Sequence, residues 1–107
     1  MSLDPRLARL QAVIRERKGG DAGSSYVASL FAKGRAKIAQ KVGEEATETV
    51  IAALTGSSEE LTAEAADLLF HLMILLEDAG SDLDAVLSEL ERRDGVSGHA
   101  EKASREG

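Results

Sequence analysis

The sequence predicts an all-α protein of four to five helices, a helical bundle completed by homodimerisation. Three observations carry this reading. The single proline, Pro5, and the clustered glycines fall between segments and so punctuate the chain. Within the segments, apolar residues recur at three- and four-residue spacing, the period of a helix. No stretch alternates strictly enough for a strand, and aromatic content is 3% with no tryptophan, whereas strands favour aromatic and β-branched residues.

Each element follows from local signals. Asp4-Pro5 reads as an N-cap followed by proline at the first helical position. Leu7, Leu10, Val13 and Ile14 then form an apolar stripe that Gly19, Gly20 and Gly23 interrupt. Ser24 or Ser25 caps a short second helix, Tyr26 to Lys33, which ends near Gly34. A long third helix runs from about Arg35 to Thr55 and stops at Gly56. Ser57 and Glu60 have capping-box spacing and open a fourth helix that ends at Gly80. Ser81 or Asp82 caps a fifth helix with Leu83, Val86, Leu87 and Leu90 on its apolar side, finished by Arg92, Arg93 and Gly95.

The fourth helix bears on assembly. From Ala65 to Leu76 only Asp67 and His71 interrupt an apolar run. A helix that is apolar nearly all round must be buried nearly all round, and a chain of 107 residues can hardly enclose it. A homodimer sharing a helical bundle is the expected solution.

Length and charge bound the function. A chain of 107 residues makes one domain, spanning 1–107. Nineteen acidic against thirteen basic residues give a net charge of −6, which argues against a nucleic-acid backbone or an anionic membrane as partner. The absence of cysteine excludes disulfides, thiolate zinc sites and cysteine nucleophiles. The amino terminus lacks a basic region followed by an apolar one, and the Ala65–Leu76 run is too short to span a bilayer, so a cytoplasmic protein is expected.

The chemistry points to a carboxylate constellation. The third helix holds Glu44, Glu45 and Glu48, and the fourth holds Glu64 and Asp67. Residues three and four apart share a helix face, so Glu45 points with Glu48, and Glu64 with Asp67. A short turn makes the two helices antiparallel neighbours; Glu48 precedes its centre by about eight residues and Glu64 and Asp67 follow it by about eight to eleven, hence at matching heights. Asp67 stands among alanines and leucines that look like core, where a carboxylate is costly unless paired or bound to a metal. Five converging carboxylates suit Mg²⁺, with Mn²⁺ the alternative, and not zinc. Lys33, Arg35, Lys37 and Lys41 precede the cluster; singly they read as ordinary ion pairs, but beside a metal they supply the cations a polyphosphate requires. His71, one turn beyond Asp67, reads as a hydrogen-bonded core or rim residue before it reads as a ligand. Gly19-Gly20-Asp21-Ala22-Gly23 is no P-loop, because no Gly-Lys-Ser/Thr follows it.

Glu-Glu-x-x-Glu, fifteen residues, then Glu-x-x-Asp resembles the signature of the MazG-type all-α NTP pyrophosphohydrolases. The flanks, Ser25-Tyr26-Val27, Leu30 to Gly34, Lys41 to Glu48, Glu64 to Leu72 and Ser97 to Arg105, narrow the resemblance to the phosphoribosyl-ATP pyrophosphohydrolase family, from about Leu7 to Arg105. The resemblance implies Mg²⁺-assisted hydrolysis of phosphoribosyl-ATP to phosphoribosyl-AMP and pyrophosphate, the second step of histidine biosynthesis. It implies Glu45, Glu48, Glu64 and Asp67 as metal ligands, and Glu44 or a ligand-free oxygen of Glu45 to orient the attacking water or take its proton. Lys37 and Lys41 would hold phosphate oxygens, with Lys33 and Arg35 as helpers. The rival readings are a house-cleaning (d)NTP pyrophosphohydrolase with the same metal site, and a non-catalytic helical dimerisation module with an acidic face. The tail after Gly95 is expected to form a short helix capped by Ser97.

Overall fold

The computed structural model describes residues 3–94; Gly95 and the Ser97–Arg105 tail, with its expected helix, lie outside them. The order is α1 (Pro5–Arg17), α2 (Tyr26–Lys33), α3 (Arg35–Thr55), α4 (Ser58–Asp78) and α5 (Leu83–Arg92). No strand occurs among the described residues.

The expected punctuation is realised in hydrogen bonds. The Asp4 carboxylate accepts from the Arg6 N–H at 2.7 Å, and Pro5 opens α1. Ser25, and not Ser24, caps α2, its Oγ accepting from the Ala28 N–H at 3.2 Å. Gly34 lies at φ +96°, a left-handed conformation that ends α2 and lets α3 leave in a new direction at once. Ser57 accepts from the Glu60 N–H at 3.2 Å, and Asp82, not Ser81, caps α5 by accepting from the Ala85 N–H at 2.8 Å.

α3 and α4 are each 21 residues long and turn about Gly56-Ser57 into an antiparallel hairpin, roughly 30 Å a side at helical rise. The other helices cover only the half remote from that turn. There Ile14, Leu30, Ile38, Met73, Ile74 and Leu83 form the buried core, with Leu7, Leu10, Phe31 and Phe70 packed around it. A partly buried ion pair fastens α1 to the end of α4, with Arg15 Nη2 2.6 Å from Glu77 and 3.2 Å from Asp82.

The half of the hairpin near the turn is bare. Val50, Ile51 and Leu54 are 58%, 54% and 79% exposed. On α4, Ala65, Ala66 and Leu69 are exposed, so the chain by itself does not bury this helix all round. This corrects the expectation for Asp67, which is exposed and not enclosed by core. Burial of α4 by the rest of the chain sets in only from Phe70 and His71 onward, so Asp67 and its apolar neighbours Ala65, Ala66 and Leu69 are left exposed.

Candidate metal centre

The carboxylates converge where α3 and α4 face each other, between the core and the bare end. Glu45 is buried, Glu64 partly buried and Glu48 exposed, and one oxygen from each lies within 4.8 Å of the others. Helical spacing places Glu45 and Glu48 on one face of α3, and the hairpin brings Glu64 opposite. Glu45 Oε2 and Glu64 Oε2 are both removed from solvent and have no hydrogen-bond partner. Beside them opens a cavity of about 290 Å³, lined by Glu48, Ile51, Ala52, Glu60, Ala63 and Glu64.

Like charges this close resist ionisation. Burial raises the Glu45 carboxyl above its ordinary value, and hydrogen bonding and charge from Glu48, then the charge of Asp67, add to this; His71 partly offsets them. A hydrogen bond to Glu48 raises Glu64, aided by burial and by the charges of Glu48, Glu45 and Asp67. Two buried oxygens without partners and a shared excess of negative charge fit a bound hard cation, which would relieve both.

These raised values carry a pH dependence. The metal-free folded chain retains protons that the unfolded chain has released, so their contribution to stability falls as pH rises from the ordinary 4.5 through the raised values. Glu45→Gln is therefore expected to melt above wild type in EDTA at about pH 8, with the gap closing toward about pH 5. Thermal unfolding followed by circular dichroism across that range checks it; a gap that widens toward acid contradicts it.

The other candidates are distributed around this centre. Asp67 lies outside the tight triad but within electrostatic reach of Glu45 and Glu64. Glu44 stands on the next face, its carboxylate accepting from Gln40 at 2.9 Å and pairing with Lys41 at 3.5 Å. Gln40 foremost, with Lys41 and Lys37, holds it below the usual carboxylate range. Lys41 also reaches Glu45 at 3.9 Å. Tyr26 first, then Glu44 and Glu45, hold its ammonium above the ordinary lysine range. Lys37 lies one turn before Lys41, near Glu44. Arg35 turns away, donating to the Asp78 carboxylate and backbone carbonyl at 2.9 Å each. Lys33 is exposed at the end of α2.

The structure adds a pair that sequence reasoning did not join. His71 is buried, with Nδ1 2.7 Å from the Asp67 carbonyl and Nε2 2.8 Å from the Tyr26 hydroxyl. Both ring nitrogens are thus engaged, as expected of a hydrogen-bonded core histidine. No local signal announces the partnership, because the two residues are 45 positions apart.

Comparison with known proteins now adds to the geometry. The family model of phosphoribosyl-ATP pyrophosphohydrolase matches residues 7–94. The chain belongs to this family. A phosphoribosyl-ATP pyrophosphatase of Erythrobacter litoralis is 64% identical over 99 residues, covering 92% of this chain and 95% of the relative. Those of Novosphingobium aromaticivorans and Zymomonas mobilis are similar at 66% and 61% identity, each covering 92% of both chains. The family match starts inside the first turn of α1, runs past the end of α5 and takes in all five carboxylates. The tail beyond residue 94 lies outside it.

Proposed function

We propose that this chain hydrolyses phosphoribosyl-ATP to phosphoribosyl-AMP and pyrophosphate, the second step of histidine biosynthesis, with Mg²⁺ held by Glu45, Glu48, Glu64 and Asp67. The observation that carries the reading is the pair of buried, unpartnered oxygens on Glu45 and Glu64 within a triad of carboxylates. A bound divalent ion supplies charge neutralisation on the triphosphate and acidifies a water molecule.

The protein's own groups do the rest. Glu45, with one oxygen turned to the cluster, orients the attacking water and takes its proton. Glu44 serves from the adjacent face by keeping Lys41 directed toward the site. Lys41 and Lys37 hold phosphate oxygens, and Lys33 assists at the second phosphoribosyl group. Arg35 contributes by fastening the start of α3 to the end of α4 through Asp78. Water attacks the α-phosphorus, the α–β anhydride bond breaks, and pyrophosphate leaves. Hydrolysis in ¹⁸O-water is expected to place the label in phosphoribosyl-AMP, read by mass spectrometry. Label in pyrophosphate would show attack at the β-phosphorus and overturn this arrangement.

A second copy of the chain covers the bare half of the hairpin in this reading. Val50, Ile51 and Leu54 make an apolar strip within the two turns beyond Glu48, and a lone chain leaves it wet. Wild type is expected to sediment as a dimer, and Leu54→Lys to shift it toward monomer. A monomeric wild type at about 100 μM, a concentration at which a Kd of 1 μM or tighter gives mostly dimer, would refute it.

A further inference from the structure

We propose that Tyr26 is a positioning residue for the carboxylate site, acting through His71. The inference rests on the reading that Glu45, Glu48, Glu64 and Asp67 hold a divalent cation.

The Asp67 carbonyl can only accept a hydrogen bond, so the His71 nitrogen 2.7 Å away, Nδ1, carries the hydrogen. In that tautomer Nε2 is left to accept from the Tyr26 hydroxyl across 2.8 Å. The Asp67 carbonyl thus sets the tautomer, and the Tyr26 hydroxyl holds the rotation of a ring that rests against the Asp67 turn of α4. Asp67 ends the acidic turn that begins at Glu64, and the ring lies within electrostatic reach of Glu45.

Tyr26 is itself well fixed. It is the first residue of α2, directly after the Ser25 cap, and its backbone carbonyl accepts from the Ser29 hydroxyl at 2.7 Å. Its ring stacks with Phe70 at 6.4 Å and 17° and meets His71 edge-on at 5.8 Å and 83°. A core that needed only volume would be filled by an aliphatic side chain, which has no polar atom to satisfy. Here a buried imidazole and a half-exposed phenol are matched atom for atom beside the carboxylates, while the core below is built from Ile, Leu and Met. Hydrogen-bond partners that orient a metal centre from behind its ligands are typically worth about 10–100-fold in metal affinity or activity.

The test uses Mn²⁺ alone as probe, by calorimetry, with Tyr26→Phe, His71→Asn and the double variant, at a temperature where each is folded. His71→Asn keeps a donor for the Asp67 carbonyl and loses the acceptor for Tyr26. Tyr26→Phe is expected to weaken Mn²⁺ about tenfold. In the His71→Asn background the same change is expected to add less than about twofold, because the path through the ring is already broken. The ¹⁵N resonance of His71 Nε2 in the metal-free protein should move toward that of an unbonded ring nitrogen in Tyr26→Phe, which keeps the proposal open to test even if His71→Asn does not fold. A variant that melts earlier but binds Mn²⁺ as wild type does would show a merely structural role and overturn the proposal. A full tenfold loss in the His71→Asn background would overturn it too, since the hydroxyl would then act without His71. Wild type that binds no Mn²⁺ at millimolar concentration would instead remove the metal reading on which the proposal stands.

Discussion

Glu45→Gln is expected to lower kcat for phosphoribosyl-ATP by about 100- to 10,000-fold, the range for loss of a positioned base. The substitution keeps the shape of the side chain and removes its charge, so the helix and its packing persist. Loss of a ligand oxygen should weaken Mg²⁺ as well, and the two effects separate on titrating Mg²⁺ to saturation. Activity and stability are expected to move in opposite directions, because burial and neighbouring charge raise the metal-free Glu45 carboxyl. That pattern is characteristic of a group kept for chemistry at a cost to the fold. Near-normal turnover with full Mg²⁺ affinity would remove Glu45 from both roles. Glu44→Gln, outside the triad, should cost far less than Glu45→Gln in parallel assays.

Ile74→Ala is expected to destabilise the fold by about 2–5 kcal/mol. Ile74 is 0% exposed and belongs to the cluster of Ile14, Leu30, Ile38, Met73 and Leu83 that joins the hairpin to the remaining helices. A small domain holds only about 5–15 kcal/mol in all, so this one change consumes a large share of it. Urea unfolding reads the loss as a lower midpoint at unchanged slope. Leu54→Ala, at 79% exposure in the single chain, should cost little in a monomer and more where a second copy covers it. An Ile74→Ala midpoint equal to wild type would mean that the core lies elsewhere.

Most of the fold is legible because its signals are local. Asp4, Ser25, Ser57 and Asp82 each satisfy an N–H within three residues, so the helix starts can be read from residue type alone, Ser24 against Ser25 and Ser81 against Asp82 excepted. The meeting of Glu45 and Glu48 with Glu64 is legible for the same reason, since a short turn and a fixed rise settle the height at which antiparallel helices meet. Asp67 was harder to read. Its apolar neighbours suggest burial, but burial depends on how far the other helices reach along the hairpin, which no local pattern encodes. The cations divide on the same principle. Lys41 meets Glu44 and Glu45 within one turn, whereas Arg35 finds Asp78, 43 residues away, and sequence spacing cannot rank those choices. The Tyr26–His71 bond likewise needs α2 laid across α4, a tertiary fact.

The central claim is that the carboxylate cluster, loaded with a divalent ion, hydrolyses phosphoribosyl-ATP. The most direct measurement is pyrophosphate release from phosphoribosyl-ATP, with dCTP, dUTP and ATP alongside, each in Mg²⁺ and in EDTA. Turnover of phosphoribosyl-ATP alone, present in Mg²⁺ and abolished by EDTA, is the expected result. Turnover of a plain nucleotide in its place would keep the metal centre and overturn the substrate, and release that persists in EDTA would contradict the carboxylate site itself.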